Sequence, residues 1–154
     1  MYNYYCYAGS HIRRVNTHNV SFRRVSPPFN SIHNVLWHIC SYLRGSRFYE
    51  YQILRDNKVL STAQLCPKLP IFAFINNRGG WHIGPCMTIN EERGKGFYPL
   101  LLQYIIDEHP ERKYYMIIDE NNISSQKGVE KLNFQLFAVG HKDSFGRYVI
   151  DRYF

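Results

Sequence analysis

Arg93, Gly94, Lys95 and Gly96 are the residues of this chain whose types and spacing most directly suggest chemistry. Glycine lets backbone N–H groups approach a ligand closely and adopts positive φ without strain. Behind the four lies an apolar strand ending near Thr88. Ahead of them Phe97, Leu100, Leu101, Tyr104 and Ile105 recur at i, i+3, i+4, i+7 and i+8, which predicts a helix with one apolar face. Pro99 falls near that helix start, where a missing N–H loses no bond. A strand, a glycine loop and a helix N-terminus in this order can receive phosphate, because free N–H groups and the positive end of the helix dipole converge there. The same residues also fit a simple β-turn before an ordinary helix. A Walker loop is excluded, since no Gly-x-x-x-x-Gly-Lys-Ser/Thr occurs, and a Rossmann fingerprint lacks its third glycine.

Residues able to move a proton are fewer. His82 lies on the strand entering the loop, and an imidazole titrates near neutral pH. Asp119 and Glu120 follow the continuous apolar run Tyr114–Ile118, at the carboxyl end of a strand that is expected to be covered on both faces. Asn122 and Ser125 stand just beyond, where they can cap a helix or touch a ligand. Four cysteines (6, 40, 66 and 86) are widely spaced and contain no Cys-x-x-Cys. The seven histidines are scattered. Neither a disulfide framework nor a metal site is expected, and the cysteines read as reduced and mostly buried.

The elements that must position these residues follow from periodicity. Tyr2, Tyr4, Tyr5 and Tyr7 suggest an edge strand or a packed arm. Arg13 to Val25 alternates weakly and stops at Pro27-Pro28. Asn30 or Ser31 reads as an N-cap, and Ile32, Val35, Leu36, Ile39, Cys40 and Leu43 as a core-facing stripe ended by Gly45. A hairpin is expected from strands 47–55 and 59–66 around Asp56-Asn57-Lys58. Pro67–Pro70 breaks it. A short strand at 71–75, a turn at 76–80 and a strand at 81–89 then lead to the loop. Gly84-Pro85 inside that last strand demands an edge or a bulge, since proline cannot donate to a ladder. Helix, strand 114–118, short helix 124–132 and strands 134–139 and 148–153 complete the order. The fold class is therefore α/β (α+β): a mixed, mostly antiparallel sheet flanked by helices.

Two segments resemble the GNAT acetyltransferase superfamily. Arg93, Gly96 and the Tyr98 position match its Arg/Gln-x-x-Gly-x-Gly/Ala loop, with Tyr98 replacing the last small residue. Asn122-Ile-Ser-Ser125 followed by Glu130-Lys-Leu-Asn-Phe134 is similar to its Asn-x-x-Ser … Glu-Lys-x-Gly-Phe segment, with Asn133 in place of glycine. The resemblance implies acetyl-CoA as cosubstrate and parallel strands that part to admit its pantetheine arm. Met87, Thr88, Ile89, Arg93, Gly94, Lys95, Gly96, Phe97, Tyr98, Asn122 and Ser125 would bind it. His82, Glu120 and Asp119 become candidate bases. Many family members carry a tyrosine acid seven residues after the asparagine; here that position is Val129. The resemblance further implies one domain over 1–154, with about 1–80 on the acceptor side and about 81–154 on the acetyl-CoA side.

At 154 residues the chain is long enough for one buried core. No apolar run approaches a bilayer span and no signal-peptide core is visible, so a cytoplasmic protein without membrane contact is expected. The net charge is +7. Up to Arg55 there are seven arginines, no lysine and one acid, Glu50. These come as pairs and singles, which favours a small anionic ligand over nucleic acid. The expected function is N-acetyl transfer to a small-molecule amine, a nucleotide-linked or phosphorylated amino sugar, with a homodimer compatible. A protein N-acetyltransferase and a non-catalytic acyl-CoA or nucleic-acid binding module stay as alternatives.

Overall fold

A computed structural model describes residues 1–9, 19–43, 47–66 and 80–154. The strand expected at 71–75, the Pro67–Pro70 break, most of the turn at 76–80 and the Gly45 helix stop lie outside the described residues. The elements are β1 (Tyr2–Tyr7), β2 (Ser21–Val25), α1 (Ile32–Leu43), β3 (Tyr49–Arg55), β4 (Lys58–Cys66), β5 (Trp81–Thr88), α2 (Phe97–Glu108), β6 (Tyr114–Asp119), α3 (Ile123–Glu130), β7 (Phe134–Lys142) and β8 (Tyr148–Tyr153). Strand order is β2-β3-β4-β5-β6-β1-β7-β8. The pairing is mixed: β5 and β6 run parallel, whereas β1–β6, β1–β7, β2–β3, β3–β4 and β7–β8 are antiparallel. This is the α/β class expected. The chain forms two compact units that interleave in sequence: Met1–Arg13, Lys68–His82 and Arg112–Phe154 make one, Arg14–Pro67 and Ile83–Glu111 the other.

In the first unit β1 is central. It pairs with β6 on one side and β7 on the other, so the expectation of an edge strand or arm for the tyrosine-rich start does not hold. Successive side chains leave a strand on opposite faces. Tyr4 and Tyr5 are 0% and 2% exposed, so both faces of β1 are covered. Tyr4 joins Tyr115, Phe137 and Ala138 in one cluster. On the other face the Tyr5 hydroxyl donates to Glu130 Oε1 of α3 at 3.2 Å. The parallel ladder has two pairs, Trp81↔Tyr114 and His82↔Tyr115.

Burial, and then the Glu130 carboxylate, push the Tyr5 phenol up to about 12. Its folded pKa lies above the unfolded value, near 10, so neutral Tyr5 stabilises the native state fully below pH 10. That contribution is lost as pH rises from 10 towards 12. Urea titrations across this window should show wild type losing stability more steeply than Tyr5→Phe; parallel pH curves for the two proteins would refute it.

In the second unit, β3 and β4 are joined through Asp56 (φ 49°) and Asn57 (φ 62°). Two successive positive φ angles match the right-handed twist of the flanking strands, and Asx residues tolerate them best. Lys58 already pairs with Arg55, so the turn is one residue tighter than expected. Helix α2 buries Phe97, Leu100, Leu101 and Ile105 as its periodicity requires, and also Leu102, Gln103 and Ile106. Its Tyr104 stacks on Phe22 of β2, with centroids 4.3 Å apart.

Helix α1 corrects the sequence reading. Ser31 caps it, accepting the Asn34 N–H at 3.1 Å. Four of the six residues of the predicted core stripe, however, face outward: Ile32 and Leu43 are 75% and 76% exposed, Leu36 and Ile39 are also exposed, and Val35 and Cys40 are half-buried. The buried residues are Asn34, Trp37 and Ser41. Trp37 packs on Phe48, with centroids 6.0 Å apart. Asn34 Nδ2 donates to the Pro28 carbonyl at 2.8 Å, and Gln64 Nε2 donates to Asn34 Oδ1 at 3.3 Å. A large aromatic anchor with partnered polar neighbours thus determines the buried face.

Candidate functional site

The end of β5 is fastened to β4. Ser61 Oγ lies 2.8 Å from Thr88 Oγ1 and donates to the Met87 carbonyl at 3.1 Å. The Ile89 N–H donates to the Leu60 carbonyl at 3.0 Å. Further down the same pair, Cys66 Sγ donates to the Gly84 carbonyl at 3.5 Å, so β4 and β5 run in opposite senses. The irregularity expected at Gly84-Pro85 is a cis peptide bond, with Gly84 buried and Pro85 exposed.

Beyond Ile89 the chain turns through a short 3-10 segment, Asn90–Glu92. Glu92 N–H donates to Ile89 O and Arg93 N–H to Asn90 O. Arg93 Nε reaches back to the Thr88 carbonyl at 3.2 Å and straps the loop across its mouth. Gly94 and Gly96 follow at φ 77° and 87°, the left-handed region that costs other residues roughly 1–2 kcal/mol. A Cβ on either would meet nothing within 4 Å. Backbone conformation therefore calls for glycine here, and the space beside both is open.

Gly96 is the N-cap of α2 and makes no side-chain cap. Pro99 at N3 has no N–H, and the Leu100 N–H donates to Gly96 O. The N–H groups of Gly94, Lys95, Gly96 and Phe97 make no hydrogen bond of good geometry among the described residues, the turn at Arg93–Gly96 being held loosely. Those of Ile89 and Arg93 are engaged in the local turns, so the open donors begin at Gly94. Met87 and Arg93 are exposed, Thr88, Ile89 and Tyr98 are half-buried, and Phe97 is 8% exposed.

Charge gathers at the loop from an unexpected source. Glu92, 13% exposed at its side chain, lies 3.2 Å from Lys95 Nζ and 3.6 Å from Arg55 Nη1. The Arg55 guanidinium also sits 5.2 Å over the Phe97 ring. Arg55, Arg93 and Lys95 against Glu91 and Glu92 leave one positive charge. Sequence reading missed Arg55, which lies 38 positions before Arg93. Its signal was the hairpin: Arg55 pairs with Lys58, two residues from the Leu60 carbonyl that holds Ile89.

The other residues that the sequence singles out belong to the first unit. His82 is half-buried and its ring lies on Tyr115 at 5.1 Å. Asp119 is exposed, and its Oδ1 accepts the Asn121 N–H at 2.9 Å. Glu120 Oε1 is 3.0 Å from the Met1 nitrogen. Asn122 caps α3, accepting the Ser125 N–H at 3.1 Å. Val129 is fully buried, so the position that offers a tyrosine acid in many GNAT proteins is core here. Asn133 has φ 62°, and its Nδ2 donates to the Gly9 carbonyl. Asparagine is the residue most able to replace glycine in that conformation, which accounts for the departure from the expected Glu-Lys-x-Gly-Phe.

Among the described residues no group of three or more His, Cys, Asp or Glu could hold a metal ion, and no helix is long and apolar enough to cross a membrane.

Comparison with known proteins agrees on architecture. No family profile and no curated protein matches the chain. Solved structures do. A protein of Novosphingobium aromaticivorans assigned to the GNAT family of acetyltransferases superposes with a TM-score of 0.56 at 14% identity, covering 88% of this chain and 59% of its own. A conserved Staphylococcus epidermidis protein of unknown function gives 0.56 at 10% identity, with coverages of 88% and 57%. A GCN5-related N-acetyltransferase-like protein from Streptococcus suis gives 0.55 at 14%, again with 88% and 57%. The chain spans under three fifths of each of these proteins. At such identities the likeness defines the fold, which is that of the GNAT acetyltransferases.

Proposed function

We propose that this chain is an acetyl-CoA-dependent N-acetyltransferase acting on the primary amine of a small molecule. The observation that carries the reading is the row of open N–H groups from Gly94 to Phe97 at the N-terminus of α2. Two left-handed glycines shape it, with open space where a Cβ would stand. Such a row suits a pyrophosphate, which accepts several N–H bonds and is drawn to the positive helix end. Arg93 straps the loop in shape beforehand, and Arg55 adds charge beside it, so little ordering is left to binding.

Acetyl-CoA supplies a thioester: the amine nitrogen bonds to the acetyl carbon, the C–S bond breaks with its electron pair going to sulfur, and the amine loses a proton. His82 is the base we place first, since it stands on β5, the strand that feeds the glycine loop. The thiol pKa, near 8.5, makes the thiolate a tolerable leaving group without the missing tyrosine. The acceptor we favour is a phosphorylated or nucleotide-linked amino sugar, because the arginines before residue 56 suit phosphate and the tyrosines suit a sugar face.

The test has two stages. Acetyl-CoA at about 100 times its Kd should stabilise the protein by roughly 2.7 kcal/mol. Free CoA should then be released when an amino sugar is added, and not without one. Absence of the first effect removes the reading; its presence without release under any amine leaves a binding module.

A further inference from the structure

A concavity lies in the same unit as the glycine loop. It is a cavity of about 530 Å³ where β2 ends, β3 begins and α1 finishes. Arg24, Arg47, His38, Tyr42, Phe48 and Tyr49 contribute to its wall, and among the described residues no acidic one does. The size is that of a small-molecule site.

The two arginines differ in how they are held. Arg24 is exposed but steered: its guanidinium lies 4.8 Å over the Tyr49 ring. The nearest carboxylate, Glu108 at 3.9 Å from Arg24 Nη1, stands outside the cavity wall. Arg47 is exposed and has no partner among the described residues. His38 Nε2 lies 2.7 Å from the Pro27 carbonyl, which can only accept, so this nitrogen carries the hydrogen. An arginine steered by Tyr49, an exposed arginine with no partner among the described residues, and a described wall without an acid form a receptor for an anion on a ring-bearing molecule.

Position links the cavity to the reaction. Tyr49 pairs with Leu65, and the next residue, Cys66, bonds to Gly84 of β5. The cavity therefore lies at the Gly84 end of this sheet, while the glycine loop lies at the Thr88 end. Two strand spacings, on the order of 10 Å, separate β3 from β5. A ligand anchored by an anion at β3 would need its amine set some distance from that anion to approach β5.

We propose that this cavity binds the phosphate group of the acceptor, with Arg47 and Arg24 as its cationic contacts and the exposed Tyr42 ring against a sugar ring. The acceptor class is thus an amino sugar bearing a phosphate ester. The inference rests on the transferase reading for its purpose, but the binding can be measured alone.

Calorimetric titration with glucosamine 6-phosphate and with glucosamine tests it, alongside the acetyl-CoA thermal shift. The phosphorylated sugar should bind, and glucosamine about 10- to 100-fold more weakly. Arg47→Ala should weaken the phosphorylated sugar by a similar factor, leave the acetyl-CoA shift intact and flatten the salt dependence. Arg24→Gln should weaken it too, and supplies a second arm. Equal affinity for the two sugars, no binding of either, or an unchanged Arg47→Ala overturns the proposal. Arginine-dependent binding without an acetyl-CoA shift would retain the anion site and remove the transferase reading. The reverse result removes the anion site alone.

Discussion

Gly96→Asp is expected to erase the thermal stabilisation that acetyl-CoA gives the wild type. Saturation to about 100 Kd corresponds to roughly 2.7 kcal/mol, or a rise in Tm of about 5–10 °C for a chain of this size. Two effects act on the variant. Gly96 sits at φ 87°, so any side chain strains the backbone by roughly 1–2 kcal/mol and lowers the Tm of the free protein. The carboxylate also stands at the helix end where the open N–H groups converge, and can itself accept from them. It would then both fill and repel the place a pyrophosphate needs. Gly96→Ala separates the two, since a Cβ there meets nothing within 4 Å. Alanine should lower the free Tm as aspartate does yet keep much of the acetyl-CoA shift. A full shift in Gly96→Asp would mean that the pyrophosphate binds elsewhere, and the proposed function would lose its anchor.

Why this loop was legible in sequence while other features were not has a physical explanation. The loop is local: the glycines, the proline at N3 and the apolar face of α2 lie within a dozen residues, and each is constrained by its own backbone. Asp56-Asn57 was legible for the same reason. Arg55 and β1 depend instead on who pairs with whom. Tyr2–Tyr7 carries side chains that suit an edge or an interior strand equally, and only the β6 and β7 registers decide it. Arg55 reaches the loop through a hairpin register and a shared carboxylate, Glu92. Partners at the end of β6 were not legible either: Asp119 Oδ1 accepts the Asn121 N–H, and Glu120 Oε1 lies beside the Met1 nitrogen. Asn122 and Ser125 showed the ambiguity of their kind: the cap is made, and a cap residue at an exposed helix start can still face a ligand.

Trp37→Ala should be the most destabilising single change in α1, by about 3–5 kcal/mol, because it removes a nearly buried indole and leaves a cavity against Phe48. Against a total stability of roughly 5–15 kcal/mol this puts the protein near its threshold. Leu43→Ser, by contrast, should change stability by no more than about 0.5 kcal/mol, since Leu43 is 76% exposed. Helical periodicity alone gives the opposite ranking, with Leu43 in the core and Trp37 beside it. The two arrangements differ by a rotation of the helix about its axis. Periodicity does not exclude that rotation, because Asn34, Trp37 and Ser41 are also spaced at i, i+3 and i+7. Partners decide between them: Asn34 finds the Pro28 carbonyl and Gln64, while Ile32, Leu36, Ile39 and Leu43 have no polar group to satisfy and can face outward without leaving one unpaired. Urea unfolding followed by circular dichroism measures both variants; fluorescence would mislead, as Trp37 is one of only two tryptophans. A Leu43→Ser loss larger than that of Trp37→Ala would turn the helix back to the face its apolar stripe suggests.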